Sequence, residues 1–261
     1  MHAILLPLDG SDHARAAIPV ARSLALLTGA ALRVVHVGEA LPPPRGLGAV
    51  VGALQDAVLV TRAGDPAAAI LEEARDADMV VMCAHAGHAE PGPELGRVAG
   101  AVLRDARCPV VVVPPARGEA PWSPRLLLLP QDGSPEAASA AEPAARLCAR
   151  VGGSLLVVHV VGDRAAARLG APAYIDQEQH EWPAWQAEFL GRLACRCAER
   201  PAMRLVVAAG NPAEEVLRAA REAGADLVVL AWGGSFEGAH AATMRGVLAG
   251  ATCPVMVVRA A

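Results

Sequence analysis

Asp78-Met79-Val80-Val81-Met82-Cys83-Ala84, a loop carrying His85, Gly87 and His88, a helical pattern opening near Gly96, then Cys108-Pro109-Val110-Val111-Val112-Val113: this stretch decides the fold. An apolar run closed by a glycine-bearing turn, then a helical period and a second β-branched run, reads as strand, loop, helix, strand. That is half of an α/β unit.

The phrase returns at the end of the chain. Ala225-Asp226-Leu227-Val228-Val229-Leu230-Ala231 leads through Gly233-Gly234 and a helical segment to Thr252-Cys253-Pro254-Val255-Met256-Val257-Val258. Leu6-Pro7-Leu8-Asp9-Gly10-Ser11 matches Leu129-Pro130-Gln131-Asp132-Gly133-Ser134, Val34-Val35-His36-Val37 matches Val157-Val158-His159-Val160, and Gly64-Asp65-Pro66 matches Gly210-Asn211-Pro212. Such a repeat sets the architecture before any single motif is read. The chain divides into a first domain over 1–117, a linker over 118–124 within a proline-rich stretch, and a second domain over 125–261. Each is long enough to bury its own core.

A net charge of −4 and a sequence pI near 6.1 give no basic face for DNA or RNA. Every basic side chain apart from histidine is arginine, so a phosphate loop of the Walker type, which needs lysine, is excluded. No apolar run reaches the length of a membrane span, and the chain opens on a strand pattern without a basic leader segment. A soluble cytoplasmic protein is expected. The six cysteines lie in apolar contexts or, for Cys195 and Cys197, on a helical pattern, which fits reduced thiols better than a disulfide framework.

Along the first copy, residues 2–8 read as a strand covered on both faces. Ser11 caps a helix expected to run to Thr28-Gly29. Leu32–Val37 is the second strand, and the proline-rich connection after it leaves room for a short helix over 49–56. Residues 57–62 form the third strand, and Asp65-Pro66 opens the next helix with an acidic cap and proline in the first turn. The second copy repeats the order with strands over 125–130 and 154–161. Its middle connection, 162–202, is much longer and holds Tyr174, Trp182, Trp185 and Phe189. Trp182, Trp185 and Phe189 fall at helical spacing, as an apolar face on the sheet or as a contact surface. Alternating strands and helices impose a parallel sheet with right-handed crossovers, and ligands of such sheets lie beyond the carboxyl ends of the strands.

At these residues the chain resembles the universal stress protein family over nearly its whole length. The marks are Pro-x-Asp-Gly-Ser closing the first strand, His-Val at the end of the second, the Gly-Asp-Pro turn, Ala-Asp-x-Val-Val, and the closing Cys-Pro-Val-x-Val-Val, found in the same order with small changes in the second copy. The resemblance implies two tandem Rossmann-like α/β domains, each a five-stranded parallel sheet of order 3-2-1-4-5 flanked by helices. It also implies that they pair through their last strands as a pseudo-twofold dimer made covalent. Val110–Val113 is therefore expected beside Val255–Val258.

Family members that bind ATP carry Gly-x-x-Gly, nine residues, then Gly-Ser or Gly-Thr, a pattern that brings backbone N–H groups, a helix N-terminus and a hydroxyl to the phosphates. In the first copy Ala84 takes the first glycine position, Gly87 the second and Gly96 the third, and Arg97 replaces the hydroxyl. In the second copy Ala231 and Gly234 take the first pair, the loop is shorter, and Ala241-Ala242 stands for Gly-Ser. The resemblance thus implies a partial ATP or AMP site in the first domain, formed by Pro7, Asp9, Val37, Gly87, Gly96 and Arg97, and a degenerate one at Asp132 in the second. Asp9 and Asp132 match the aspartate near the adenine, and an aspartate before Gly-Ser also serves as a turn residue. Arg97 is either a phosphate donor or a solvated helix residue.

Three function classes follow. One is a non-catalytic stress-response protein acting through assembly or partner contacts; another is an ATP or AMP switch using the first domain. The third is an ATP-cleaving α/β enzyme, which lacks its Ser-Gly-Gly-x-Asp-Ser type loop here. A metal site from Cys83, His85 and His88 wants a fourth ligand, and the recurrence of His36 and His159 at strand ends favours hydrogen bonding over catalysis. Expected partners are an adenine nucleotide, the internal pair, further self-association and a protein, with no nucleic acid or membrane.

Overall fold

The computed structural model describes residues 3–38, 46–54, 57–85, 95–161, 184, 186–235 and 238–260. Gly87, His88, Tyr174, Trp182, Trp185 and Phe236 lie outside them, with much of the 162–202 connection. The chain forms two compact units, one of residues 1–123 with 248–259, the other of residues 124–247 with 260–261.

The first unit carries the strands β1 (Ala3–Pro7), β2 (Ala31–Val37), β3 (Val58–Arg62), β4 (Met79–Cys83) and β5 (Val110–Val113) in the spatial order β3-β2-β1-β4-β5, every pair parallel. The inner strands β1, β4 and β5 are apolar because helices cover both faces of such a sheet. Leu5, Leu6, Val80, Val81, Val111 and Val113 are fully buried. At the edge, β3 is half exposed, and Val58 is open to solvent.

The last strand of the chain also belongs to this unit. It runs antiparallel to β5 with Val257 opposite Val110, Met256 opposite Val111 and Val255 opposite Val112. Left unpaired, Val110–Val113 would be an apolar edge open to association. The sheet of the first unit is thus parallel through its own five strands and gains one antiparallel partner. The second unit holds β6 (Leu126–Pro130), β7 (Ser154–Val161), β8 (Ala202–Ala209) and β9 (Leu227–Trp232) in the order β9-β6-β7-β8, all parallel. The closing strand, Val255–Arg259, is β10.

Four helix starts follow from side-chain capping. The Ser11 hydroxyl accepts from the Ala14 amide, Asp65 from Ala68, Ser134 from Ala137, and Asn211 from Ala213 and Glu214. Gly29, Gly152 and Gly224 end their helices in the left-handed conformation. The helix expected from Ser11 to Thr28 is broken into Asp12–Arg15 and Ile18–Thr28. Pro19 explains the break: it has no N–H to give to the carbonyl at residue 15, so a new helix starts around it. The short helix after the proline-rich stretch spans Leu47–Gly52, with residues 55 and 56 outside the described set.

Two repeated hydrogen bonds hold the first strand of each unit at both ends. At its start, Asp78 Oδ2 accepts from the Ala3 amide at 2.7 Å, and Asp226 Oδ2 accepts from the Arg125 and Leu126 amides at 2.8 and 2.9 Å. At its end, His36 Nδ1 lies 2.9 Å from the Leu8 carbonyl and His159 Nδ1 lies 2.7 Å from the Gln131 carbonyl. A carbonyl only accepts, so each ring carries its proton on Nδ1. The aspartate of Ala-Asp-x-Val-Val and the histidine of His-Val are therefore fastenings of the strand ends. In the second unit the Phe189 ring also packs on His159, with centroids 5.6 Å apart.

Candidate functional site

Each unit opens a cavity at the carboxyl ends of its strands. In the first it measures about 290 Å³ and is lined by Pro7, Leu8 and Asp9 after β1, Val35 and Val37 of β2, Met82 and Cys83 of β4, and Ala14, Pro66, Ile70 and Val98 from the helices. The sequence brings Pro7, Asp9 and Val37 to one wall because β1 and β2 pair in register, Pro7 against Val35. Asp9 serves the turn as well as facing the cavity. Its Oδ1 accepts from the Ser11 amide at 2.9 Å and from the Ser11 hydroxyl at 2.6 Å, and Gly10 between them takes a φ of 90°.

The other residues expected here sit differently. Gly96 precedes the helix Arg97–Asp105, and its amide donates to the Ala84 carbonyl at 2.9 Å. That donor is engaged within the chain, which leaves the amides of the first helical turn as the ones without helical partners. Arg97 lies outside the cavity lining; its side chain is exposed and its Nη1 is 3.5 Å from Asp65 Oδ1. Gly87 falls outside the described residues. Cys83, Met82, Ile70 and Val98 are lining residues that sequence reading missed, since nothing local distinguishes them from core positions.

The second cavity, of about 220 Å³, repeats the first wall by wall. Pro130, Gln131 and Asp132 follow β6, Val158 and Val160 come from β7, Leu230 and Ala231 from β9, and Pro212 and Met244 from the helices Pro212–Ala223 and Ala239–Gly250. Its mouth differs. His240 Nε2 lies 2.5 Å from Asp132 Oδ2, and His240 Nδ1 lies 3.1 Å from Glu136 Oε2. Asp132 Oδ1 meanwhile accepts from the Ser134 amide at 2.9 Å. Glu136 packs so closely on the loop after β9 that a Cβ at Gly233 would come within 2.5 Å of its Oε1. Glu136 and His240 were not among the expected site residues. Aligning the copies shows the signal available, for they stand where the first copy has His13 and Leu95.

The electrostatics follow from this geometry. Hydrogen bonds to Asp132, then to Glu136, raise the His240 imidazole above its ordinary value. Partial burial pushes the Asp132 carboxyl up, but hydrogen bonds from Ser134 and His240 outweigh it and hold the group below the usual carboxylate range. The protonated ring therefore contributes stability that is fully present below the unfolded imidazole value and lost as pH rises through the folded one. The contribution of Asp132 is present above the unfolded carboxylate value and lost as pH falls through its depressed one. Both side chains are over two-fifths exposed, so the effect is screened. His240→Ala is expected to lower the melting temperature by up to a few degrees at about pH 6 and by nothing measurable at about pH 9. An equal loss at both pH values would mean that the ring acts by packing alone.

Burial pushes the Cys148 thiol up to about 11 and also raises Cys83, Cys108 and Cys197. All six cysteines are free. Among the described residues no group of three or more His, Cys, Asp or Glu side chains is placed to hold a metal ion, and no helix is long and apolar enough to cross a membrane.

Comparison with known proteins places this architecture. The profile described as "Universal stress protein family" matches residues 45–114 and 125–259, most of the chain and both units. A curated relative from Thermus aquaticus, "Universal stress protein in QAH/OAS sulfhydrylase 3'region", is 35% identical across 42% of this chain and 96% of its own length. Among solved structures, a universal stress protein from Archaeoglobus fulgidus superposes with a TM-score of 0.68 at 19% identity, covering 99% of this chain and 96% of that one. A putative universal stress protein from Pseudomonas aeruginosa gives a TM-score of 0.72 at 16% identity, covering 99% and 93%. At these identities the structures share the fold alone, whereas the profile carries the kinship: with two matched domains in tandem, the chain belongs to the universal stress protein family.

Proposed function

We propose that this protein is a non-catalytic stress-response protein that acts through assembly or partner contacts and takes an adenine nucleotide, ATP or AMP, in the cavity of its first unit. The observation that carries the reading is the gathering of Pro7, Asp9 and Val37 around one cavity of about 290 Å³, with Val98 of the first turn of the helix Arg97–Asp105 on its far side. An apolar slot suits a flat base, and amides of a helix start suit an anion. Binding is weak in this reading, because the Gly96 amide is engaged by Ala84 and Arg97 is paired with Asp65 in solvent. The non-catalytic part rests on the roles found for His36, His159 and Asp9, each engaged in holding a strand end or a turn.

The test begins with the purified protein, read for retained nucleotide by its absorbance ratio and by mass spectrometry after acid release. Calorimetry with AMP and ATP follows. Asp9→Asn keeps an oxygen for the Ser11 amide and removes the second carboxylate oxygen. It is expected to weaken binding about tenfold, the worth of one hydrogen bond to a charged group. Asp132→Asn is expected to leave nucleotide affinity unchanged. Equal losses in the two variants would place the nucleotide elsewhere, and no retained nucleotide with no heat of binding would remove it from the function.

A further inference from the structure

We infer that the cavity of the second unit is a binding site for a small planar organic cation with an apolar body, one whose N–H donors take the place of the His240 ring between Asp132 and Glu136. The inference does not depend on nucleotide binding in the first unit.

The shape comes first. A cavity of about 220 Å³ lies behind the mouth, and its wall is mostly apolar: Pro130, Val158, Val160, Pro212, Leu230 and Met244. It suits a flat body the size of a single ring system. The mouth supplies the polar recognition. Both nitrogens of His240 face carboxylate oxygens, at 2.5 and 3.1 Å. An ionised carboxylate only accepts, so the ring satisfies both partners when it is protonated and each nitrogen donates to one carboxylate. The chain therefore already places a planar cation with two N–H donors between two carboxylates at the entrance of an apolar cavity. A ligand amidinium or guanidinium repeats that donor pattern with better geometry, because its parallel N–H groups address carboxylates in a fork.

The carboxylates are held for this. Asp132 is fixed by the Ser134 amide, and the Glu136 carboxylate lies against the loop after β9 beside Gly233. His240 is half exposed, on the first turn of its helix, so it can swing to solvent and leave the two carboxylates to an incoming cation. An anionic ligand meets the reverse situation, since the mouth carries two negative groups against one positive.

Benzamidine, benzamide and benzoate share one shape and differ in charge, and the experiment is calorimetric titration of each into the full-length protein. Benzamidine is expected to bind, benzamide more weakly, and benzoate not at all. His240→Ala removes the internal competitor and is expected to tighten benzamidine about tenfold, whereas Glu136→Gln, which keeps the shape and removes the charge, is expected to weaken it about tenfold. Asp9→Asn in the first unit is expected to change nothing. Benzoate binding as well as benzamidine, indifference of benzamidine to Glu136→Gln, looser binding in His240→Ala, loss in Asp9→Asn, or no binding of benzamidine would each overturn the inference.

Discussion

Val111→Asp is expected to unfold the first unit at neutral pH. Val111 is fully buried in β5 and has a strand on each side, with Val81 of β4 and Met256 of β10 as its partners. A carboxylate there is taken out of solvent, and burial of this degree raises a carboxyl pKa by about 3 to 5 units; a group pushed that far stays protonated near neutrality, so the cost at pH 7 is capped at about 4 kcal/mol, set by the roughly three units between its ordinary value and pH 7. The lost valine burial adds about 1.5 kcal/mol or more. The sum reaches the lower end of the whole stability of an ordinary domain. Because the folded-state pKa is raised, the electrostatic cost is absent below the unfolded carboxyl value and grows as pH rises above it. Circular dichroism and thermal melts at about pH 3.5 and about pH 7 separate the two parts. The control is Val58→Asp on the exposed edge strand β3, expected to change stability by less than about 0.5 kcal/mol. A folded Val111→Asp protein with an unchanged melting temperature would show that β5 is not the buried strand described here.

The pairing at stake in that variant was legible in the sequence, and the reason is physical. Four valines in a row at the end of a parallel sheet need a partner, and the repeat supplies a second such run in Val255–Val258. Two helix starts were legible for the same kind of reason, since Ser11 and Asp65 each satisfy an amide of their own first turn. Pro19 divides a helix that the cap at Ser11 and the stop at Thr28-Gly29 read as one, because the missing N–H of proline acts inside the span that those two signals bound. The candidate site was legible only in part. Pro7, Asp9 and Val37 share a cavity because strand pairing is regular, and regular pairing follows from pattern. The mouth of the second cavity is another matter: His240 meets Asp132 and Glu136 across separations of 108 and 104 residues, and no local period encodes a contact of that range. Gly96 shows the same limit. A glycine before a helix suggests an open anion donor, yet whether its amide is free depends on where the Ala84 carbonyl falls.

Leu5→Ala and Leu128→Ala are expected to cost about 2 to 5 kcal/mol each, and to do so in different places. The two leucines are repeat counterparts at the centres of β1 and β6, both without exposed surface. Each sits on the strand flanked by neighbours on both sides, Leu5 opposite Arg33 of β2 and Val80 of β4, Leu128 opposite Leu156 of β7 and Val228 of β9. Truncation removes buried methyl groups and leaves a void that a strand locked by two hydrogen-bonded neighbours cannot collapse to fill. The measurement is native-state amide exchange followed by peptide mass spectrometry. Leu5→Ala is expected to lose protection in β1, β2 and β4, and Leu128→Ala in β6, β7 and β9. Each lies on the strand that leads into the turn carrying the cavity aspartate, so ligand affinity should fall at the cavity of the mutated unit. A loss of protection confined to the mutated strand, with its two neighbours still protected, would mean that the strands of one unit do not share the cooperative core assigned to them here.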